Sequence, residues 1–161
     1  MSKVKYFDED INIDNRTIVL RADLNVPIIS GKIQDLTRVD QYIAFIRLLL
    51  EKKAKIILIS HLGRPKSEND KSLSLKPVFD YLKSVLKNKI YFHKDLIDSD
   101  TRNKISFLRK GEIIMLENIR FNSGEQNDED RLAKDLSSLG DIYINDAFSV
   151  SHRKQTSVHK I

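Results

Sequence analysis

Short apolar runs recur along the chain, separated by longer stretches of mixed polarity. The run Ile56–Ile59 consists of consecutive aliphatic residues, which is typical of a strand buried on both faces of a parallel sheet. A turn at Ser30–Gly31 predicts a small hairpin that includes Lys32–Gln34. The main predicted strands are Thr17–Arg21, Lys55–Ser60, Ile90–His93, Glu112–Leu116 and Ile142–Ile144.

Helical periodicity lies between these strands. In the first such stretch, Val39, Ile43, Ile46 and Leu50 recur at the spacing of one helix face. The predicted helices are Thr37–Lys53, with Asp35 or Thr37 as its cap, Ser74–Lys87, Asp98–Leu108 and Asp128–Leu139. The predicted polar loops are Pro65–Ser72 and Asn122–Asn127.

Regular alternation of strands and helices predicts the α/β class. We expect a three-layer, Rossmann-like domain in which a mostly parallel sheet is flanked by helices. Because crossovers between parallel strands are right-handed, the carboxyl ends of the strands should meet at one edge of the sheet, which we call the rim.

The composition excludes several classes of protein. The chain has 161 residues, enough for one domain with a substantial core, and it has no cysteine, so disulfides and thiolate metal sites are excluded. The segment Met1–Asn15 is polar and charged, which does not match a secretory signal peptide, and no apolar run approaches the length of a membrane span. We therefore expect a cytoplasmic protein with no membrane partner.

The net charge of +5 is compatible with nucleic acid, with a small anionic ligand, or with no specific partner. No stripe of aromatic and basic residues and no Cys/His finger is present, so a nucleic-acid partner is not expected. The chain has five glycines and neither a Walker sequence nor a dinucleotide fingerprint, so no nucleotide site can be assigned. The histidines do not have the spacing of a zinc site, and no metal site is predicted.

Polar and charged side chains follow most of the predicted strands. In open α/β sheets, ligands bind just beyond the carboxyl ends of the strands. The residues at these positions, together with one in the first turn of the first long helix, are Arg21, Asp23, Asn25, Arg38, His61, Arg64, Arg120, His152 and Arg153. Several arginines and two histidines at one rim form a cationic site for a small, multiply charged anion. Asp23 and Asn25 suggest that this ligand also carries a hydroxyl.

Each of these residues also has a structural interpretation. Arg64 could belong to a solvated polar turn, Asp23 could cap a turn, Arg120 could be a surface arginine, and His152 could be an ordinary loop histidine. A stand-alone anion-binding or nucleic-acid-binding domain without catalysis is the alternative function. Salt dependence would separate nucleic-acid binding from binding of a small anion, because nucleic-acid affinity falls steeply with salt.

Four of the rim segments form a recognisable set of motifs. They are Arg21-Ala22-Asp23-Leu24-Asn25-Val26-Pro27, Ser60-His61-Leu62-Gly63-Arg64-Pro65, Leu116-Glu117-Asn118-Ile119-Arg120-Phe121 and Asn145-Asp146-Ala147-Phe148. In order and spacing they resemble the signature of the phosphoglycerate kinase family, over essentially the whole chain. The resemblance is to the amino-terminal, 3-phosphoglycerate-binding domain of that family.

The resemblance implies a reaction and a role for each matching residue. The family transfers the acyl phosphate of 1,3-bisphosphoglycerate to ADP, giving 3-phosphoglycerate and ATP with Mg²⁺, and it binds the nucleotide on a separate carboxyl-terminal domain joined by a hinge. Arg38 would be catalytic, since it would meet the carboxyl end of the substrate and stabilise the transferring phosphoryl group. The other implied substrate-binding residues are Asp23 and Asn25 for the hydroxyl, His61, Arg64, Arg120 and Arg153 for the 3-phosphate, and their neighbours Leu24, Leu62 and Gly63.

Two departures from the family pattern lie near the last motif. Ser149 stands where the family usually has Gly, and Lys154-Gln155-Thr156 stands where it usually has small residues and His. The chain ends soon after Arg153, so residues 1–161 are expected to be a monomeric fragment without the nucleotide-binding domain and without catalytic activity of its own.

Overall fold

The computed structural model describes residues 6–8, 10–67, 70–95 and 97–161. Parts of the predicted Met1–Asn15 entry and of the predicted Pro65–Ser72 loop lie outside these ranges. These ranges contain seven strands: β1 Thr17–Arg21, β2 Ile28–Ile29, β3 Lys32–Ile33, β4 Lys55–Ile59, β5 Ile90–His93, β6 Ile113–Leu116 and β7 Ile142–Asn145. Strands β2 and β3 form the predicted hairpin.

Six helices accompany these strands in the described part of the chain: α1 Thr37–Glu51, α2 Lys76–Val85, α3 Ser99–Ser106, α4 Ser123–Gln126, α5 Asp130–Ser137 and α6 Thr156–His159. Short 3₁₀ turns occur at Lys71–Leu73, Ile119–Phe121 and Phe148–Val150. The predicted loop Asn122–Asn127 is wrong in part, because it contains α4. That short helix begins where the side chain of Asn122 accepts the N–H of Gly124 at 3.1 Å.

The five longer strands form one parallel sheet in the order β5-β6-β4-β1-β7. The central strand β4 carries the Ile56–Ile59 run, and all four of these side chains are buried. Ile56 and Leu58 pack with α1 and α2 on one face, whereas Ile57 and Ile59 pack with α5 and neighbouring residues on the other. The predicted three-layer α/β class with a parallel sheet is therefore confirmed.

Local hydrogen bonds set the starts of α1 and α3, and α1 begins at Thr37 as predicted. Helix α1 follows Leu36 without a side-chain cap at that position, although Asp35 Oδ1 accepts the N–H of Thr37 at 2.9 Å. Helix α3 begins after Asp98 in a capping box, in which Asp98 and Thr101 each accept the backbone N–H of the other. No helix in the described ranges is long and apolar enough to cross a membrane.

Candidate anion site at the sheet rim

The loops that follow β1 and β4 are joined at the rim by direct hydrogen bonds. Asn25 lies after β1, and its Oδ1 accepts the N–H of Gly63 at 2.9 Å. Gly63 has φ +56°, and a Cβ added to it would lie 2.7 Å from a methyl carbon of Leu73. The positive φ therefore favours glycine at this position, and a Cβ would in addition have to displace the Leu73 methyl group.

Asn118 holds the same loop from the other side and is 1% exposed. Its Nδ2 donates to the carbonyl oxygens of Leu62 at 2.8 Å and Leu73 at 2.9 Å, and its Oδ1 accepts the N–H of Leu62 at 3.1 Å. The same Oδ1 accepts the N–H of Arg120 at 3.1 Å. One buried amide thus fixes the backbone on which Gly63 and Arg120 are presented.

Arg120 points into this rim and is 6% exposed. Its Nη1 donates to the carbonyl oxygen of Gly63 at 2.6 Å and its Nη2 to Oε1 of Gln155 at 3.2 Å, while its buried Nε has no partner. Burial, with the positive charges of Arg153 and Arg21, lowers the pKa of Arg120 to about 10, so the group stays charged at neutral pH. The buried Nε of Arg153 also lacks a partner.

His61 is buried beside these arginines and is uncharged. Burial, followed by the positive charges of Arg21 and Arg120, lowers its pKa from 6.5 to about 3. Arg21 Nη2 lies 3.1 Å from His61 Nδ1 and can only donate, so Nδ1 is the acceptor and the imidazole proton is on Nε2. His61 therefore supplies an N–H group to the rim and no positive charge, contrary to its predicted part in a cationic site.

Beneath His61 lies a buried network that ties the rim to the end of the chain. Arg21 is fully buried, and its Nε donates to Ser157 Oγ at 3.1 Å and its Nη1 to the carbonyl of Ala22 at 2.9 Å. Ser157 Oγ donates in turn to Glu125 Oε1 at 2.6 Å, and the Ser157 N–H donates to Oε2 at 2.9 Å. Burial raises the pKa of Glu125, although the Ser157 hydrogen bonds and Arg21 oppose this.

Asp23 forms a second cluster with Arg38 and Ser149. Its Oδ2 accepts from Arg38 Nη1 at 2.8 Å and from the hydroxyl of Ser149, and its Oδ1 accepts the N–H of Asn25 at 3.3 Å. Burial acts to raise the pKa of Asp23, but the Ser149, Asn25 and Arg38 contacts outweigh it and lower the pKa. Asp23 is therefore ionised at neutral pH.

The structure brings most of the predicted residues together. Asp23 contacts Arg38 and Asn25, Asn25 contacts Gly63, and Gly63 contacts Arg120. Leu24 and Leu62 are buried, so they offer backbone rather than side chains to this region. Arg64 is exposed, and both Arg64 and Arg153 are close enough to lower the pKa of Arg120. His152 is exposed.

Sequence reasoning missed four residues that position this site. Asn118 lies inside one of the four motifs, at a position to which the family resemblance gives no role, and Gln155 and Ser149 are departures from the family pattern. Glu125 fell in a predicted polar loop. Their common property is a hydrogen bond to a site residue or to its neighbour, and the only sequence signal was the polar character of the segments that carry them.

The chemistry of the rim favours an anion with more than one oxygen. Arg120 and Arg153 keep buried N–H donors free, and Arg64 adds an exposed guanidinium. Guanidinium groups bind phosphate and carboxylate through directed hydrogen bonds. Within the described ranges, no group of three or more His, Cys, Asp or Glu residues could hold a metal ion. Surface grooves of about 450 to 500 Å³ elsewhere contain none of the rim residues.

Comparisons with known proteins cover most of the chain. A phosphoglycerate kinase of Wolbachia sp. subsp. Drosophila simulans (strain wRi) is 44% identical over 153 residues, which are 95% of this chain and 38% of that protein. One from Orientia tsutsugamushi (strain Ikeda) is 44% identical over 149 residues, 92% of this chain and 37% of that protein. The chain thus spans less than half the length of the curated relatives it matches.

Solved structures share the fold. The phosphoglycerate kinase from Coxiella burnetii matches with a TM-score of 0.81 at 34% identity, covering 92% of this chain and 37% of that one. The enzyme from Pyrococcus horikoshii OT3 matches with a TM-score of 0.83 at 34% identity, covering 92% and 38%. Since the family model for phosphoglycerate kinase also matches residues 9–161, the chain belongs to the phosphoglycerate kinase family.

Proposed function

We propose that residues 1–161 form the 3-phosphoglycerate-binding domain of a cytoplasmic, glycolytic phosphoglycerate kinase. The observation that carries this proposal is the pair of buried guanidinium Nε groups, on Arg120 and Arg153, that have no partner within the protein. Leaving a buried donor unpaired costs roughly 1–3 kcal/mol. A bound oxyanion would remove that cost at both residues.

In this proposal the 3-phosphate binds between Arg120, Arg153 and Arg64. Arg120 is already fixed by Gly63 and Gln155, so little conformational freedom is lost when it binds the anion. His61, neutral and protonated on Nε2, adds a hydrogen bond without adding charge. The charge needed to balance the phosphate comes from the arginines.

The glycerate end binds beside Asp23, Asn25 and Arg38. The Asp23 carboxylate accepts the substrate hydroxyl, and Asn25 offers its amide NH₂ because its Oδ1 already accepts the Gly63 N–H. The side chain of Arg38 is 46% exposed and uses one donor on Asp23, so its other donors can reach the acyl phosphate. There they stabilise the charge on the phosphoryl oxygens during transfer.

The reaction proposed for the longer protein is phosphoryl transfer between two bound molecules. The bond between phosphorus and the acyl oxygen of 1,3-bisphosphoglycerate breaks, and a bond forms between phosphorus and a terminal phosphate oxygen of ADP. The products are 3-phosphoglycerate and ATP. We place the nucleotide and Mg²⁺, which neutralises phosphate charge, on a second, carboxyl-terminal domain.

A ligand titration of the 161-residue chain tests the site. Addition of 3-phosphoglycerate should shift the backbone amides of Asn25, Gly63 and Arg120 together, with a common dissociation constant. Glycerol 3-phosphate, which lacks the carboxylate, is the control and should bind more weakly. Shifts scattered over the lysine-rich surface would reject the site.

Two further measurements test the function. A single-stranded oligonucleotide that moves the rim amides, with an affinity falling steeply with salt, would favour nucleic-acid binding instead. A coupled assay of 3-phosphoglycerate-dependent ATP consumption should find no turnover in the 161-residue chain, because the two reactants are not held together. Turnover at ordinary kinase rates would contradict the two-domain proposal.

A further inference from the structure

Ser149 lies directly against the carboxylate that would accept the ligand hydroxyl. It is exposed, in the 3₁₀ turn Phe148–Val150 after β7, and its hydroxyl donates to Asp23 Oδ2. The same oxygen accepts from Arg38, and Oδ1 accepts the N–H of Asn25. Three donors therefore converge on one carboxylate, whose side chain is only 8% exposed.

We propose that Ser149 is a specificity-determining residue, whose hydroxyl occupies the position on Asp23 that a ligand hydroxyl needs. Binding of a hydroxylated ligand would then exchange one hydroxyl for another. This inference rests on the proposed function, because it takes Asp23 as the acceptor for the substrate hydroxyl.

The two donors on Asp23 Oδ2 explain why Ser149 is the group that a ligand hydroxyl displaces when it binds this oxygen. A carboxylate oxygen has two lone pairs, and Oδ2 already receives two donors. The bond from Arg38 is charge-assisted at both ends and therefore stronger, and the donor from Asn25 is backbone. Ser149 is neutral and exposed, and rotation about one side-chain torsion removes its hydroxyl from the carboxylate.

The exchange determines how well the site separates a hydroxylated anion from one without the hydroxyl. A deoxy ligand leaves the bond between Ser149 and Asp23 intact, so Oδ2 keeps both of its donors. Sites that reject a deoxy analogue strongly do so because their buried polar group loses its partner. Ser149 thus makes the site tolerant of phosphorylated carboxylic acids that lack the hydroxyl.

The test compares 3-phosphoglycerate with its 2-deoxy analogue on the 161-residue chain and its variants, by the rim amide shifts. In the unchanged chain, the two dissociation constants should differ by less than about threefold, since one hydroxyl replaces another. In Ser149→Ala the ratio should rise to about tenfold or more, because the analogue now leaves Asp23 Oδ2 with the Arg38 donor alone. Ser149→Thr, which keeps the hydroxyl, should restore the low ratio.

Ser151→Ala is the matched control, because Ser151 lies in the same region but its hydroxyl faces the Ala147 carbonyl at 3.4 Å. It should leave the ratio unchanged. A second readout needs no ligand. Removal of the Ser149 hydroxyl should raise the pKa of Asp23, which is measured from the pH dependence of the carbon-13 shift of its carboxyl group.

The outcomes separate the two proposals. One outcome is that both ligands shift the rim amides while the ratio of their two dissociation constants is the same in the unchanged chain and in Ser149→Ala. In that case the role of Ser149 is overturned and the proposed function stands. If neither ligand shifts the rim amides in any form, the proposed function is overturned and this inference with it. An unchanged pKa of Asp23 in Ser149→Ala would likewise contradict the exchange.

Discussion

Two layers of ionisable side chains lie at the rim, and they differ in burial. The inner layer consists of Arg21, His61 and Glu125, which are 0%, 2% and 0% exposed and hydrogen-bond within the protein. The outer layer consists of Arg38 and Arg64, which are exposed. Both layers contain motif residues, so residue type alone does not separate structural from ligand-facing charges. Burial and internal partners do.

Removal of the inner guanidinium should have the largest effect. Arg21→Met keeps the length of the side chain but leaves His61 and Ser157 without their donor and Glu125 without a nearby positive charge. Breaking a buried charged network by deleting one member costs about 3–5 kcal/mol of unfolding free energy. Urea denaturation measures this loss of unfolding free energy. Arg16→Ala, at an exposed position, is the control, and its unfolding free energy should be within about 0.5 kcal/mol of that of the unchanged chain. A loss below about 1 kcal/mol would show that the inner layer is not structural.

The second effect concerns turnover in a two-domain phosphoglycerate kinase that carries this sequence. Arg38→Ala should lower kcat by about 10²–10³-fold with a smaller change in KM, because the interaction forms mainly in the transition state. Steady-state kinetics measures it. Arg47→Ala, on the solvent side of the same helix, is the control. Normal kcat with only a raised KM would move Arg38 from catalysis to simple binding.

The third effect tests whether the outer layer acts on the ligand alone. Arg64→Ala should weaken 3-phosphoglycerate binding by about 1.5–3 kcal/mol, the range for a charge-assisted hydrogen bond. The thermal midpoint should not change, because Arg64 is exposed. Exposed Lys66→Ala removes a nearby charge and should change neither quantity. A fall in the midpoint with unchanged affinity would place Arg64 in the structural layer.

The fourth effect is a pH dependence that belongs to the inner layer. Since the pKa of His61 is about 3 in the folded protein and near 6.5 when unfolded, the unfolded state binds the proton first. Stability from His61 is therefore fully present above about pH 6.5 and is lost as pH falls toward 3, by up to about 1.4 kcal/mol per pH unit.

Denaturation of the unchanged chain and of His61→Gln at pH 7, 6 and 5 isolates this contribution, because other titrating groups cancel in the difference. His152→Gln, at an exposed position, is the control, and its unfolding free energy should change with pH as steeply as that of the unchanged chain. If the unfolding free energy changes equally with pH in the unchanged chain and in His61→Gln, His61 does not resist protonation.

The sheet could be predicted from sequence because its strands are short runs of aliphatic residues between polar turns. Strand β5 begins and ends where the pattern placed it, and β4 differs by one residue. Helices α4 and α6 could not be predicted, since each is a single turn held by distant partners. Thr156 in α6, for example, donates to the carbonyl of Gly124 at 2.7 Å.

The positions of the site residues could be predicted, but their states could not. Strand ends and motifs located Arg21, His61 and Arg120 at one edge. Whether each is buried, charged or already hydrogen-bonded depends on partners remote in sequence, as with Arg21 and Ser157, 136 residues apart. Local pattern contains no information about such pairs, so an inner arginine and an outer arginine look alike in the sequence.

The position of β7 at the edge of the sheet has a consequence for synthesis. Thr17 and Asp141, which are hydrogen-bonded where β1 and β7 begin to pair, are 124 residues apart. At a translation rate of about 5–20 residues per second, one edge of the nascent β1 stays unpaired for roughly 6–25 s. An open apolar strand edge is a site where chains aggregate. Strand β7, the last strand of this sheet to be synthesised, therefore protects the growing chain, and the Arg21 network cannot form before Ser157 in α6 has been made.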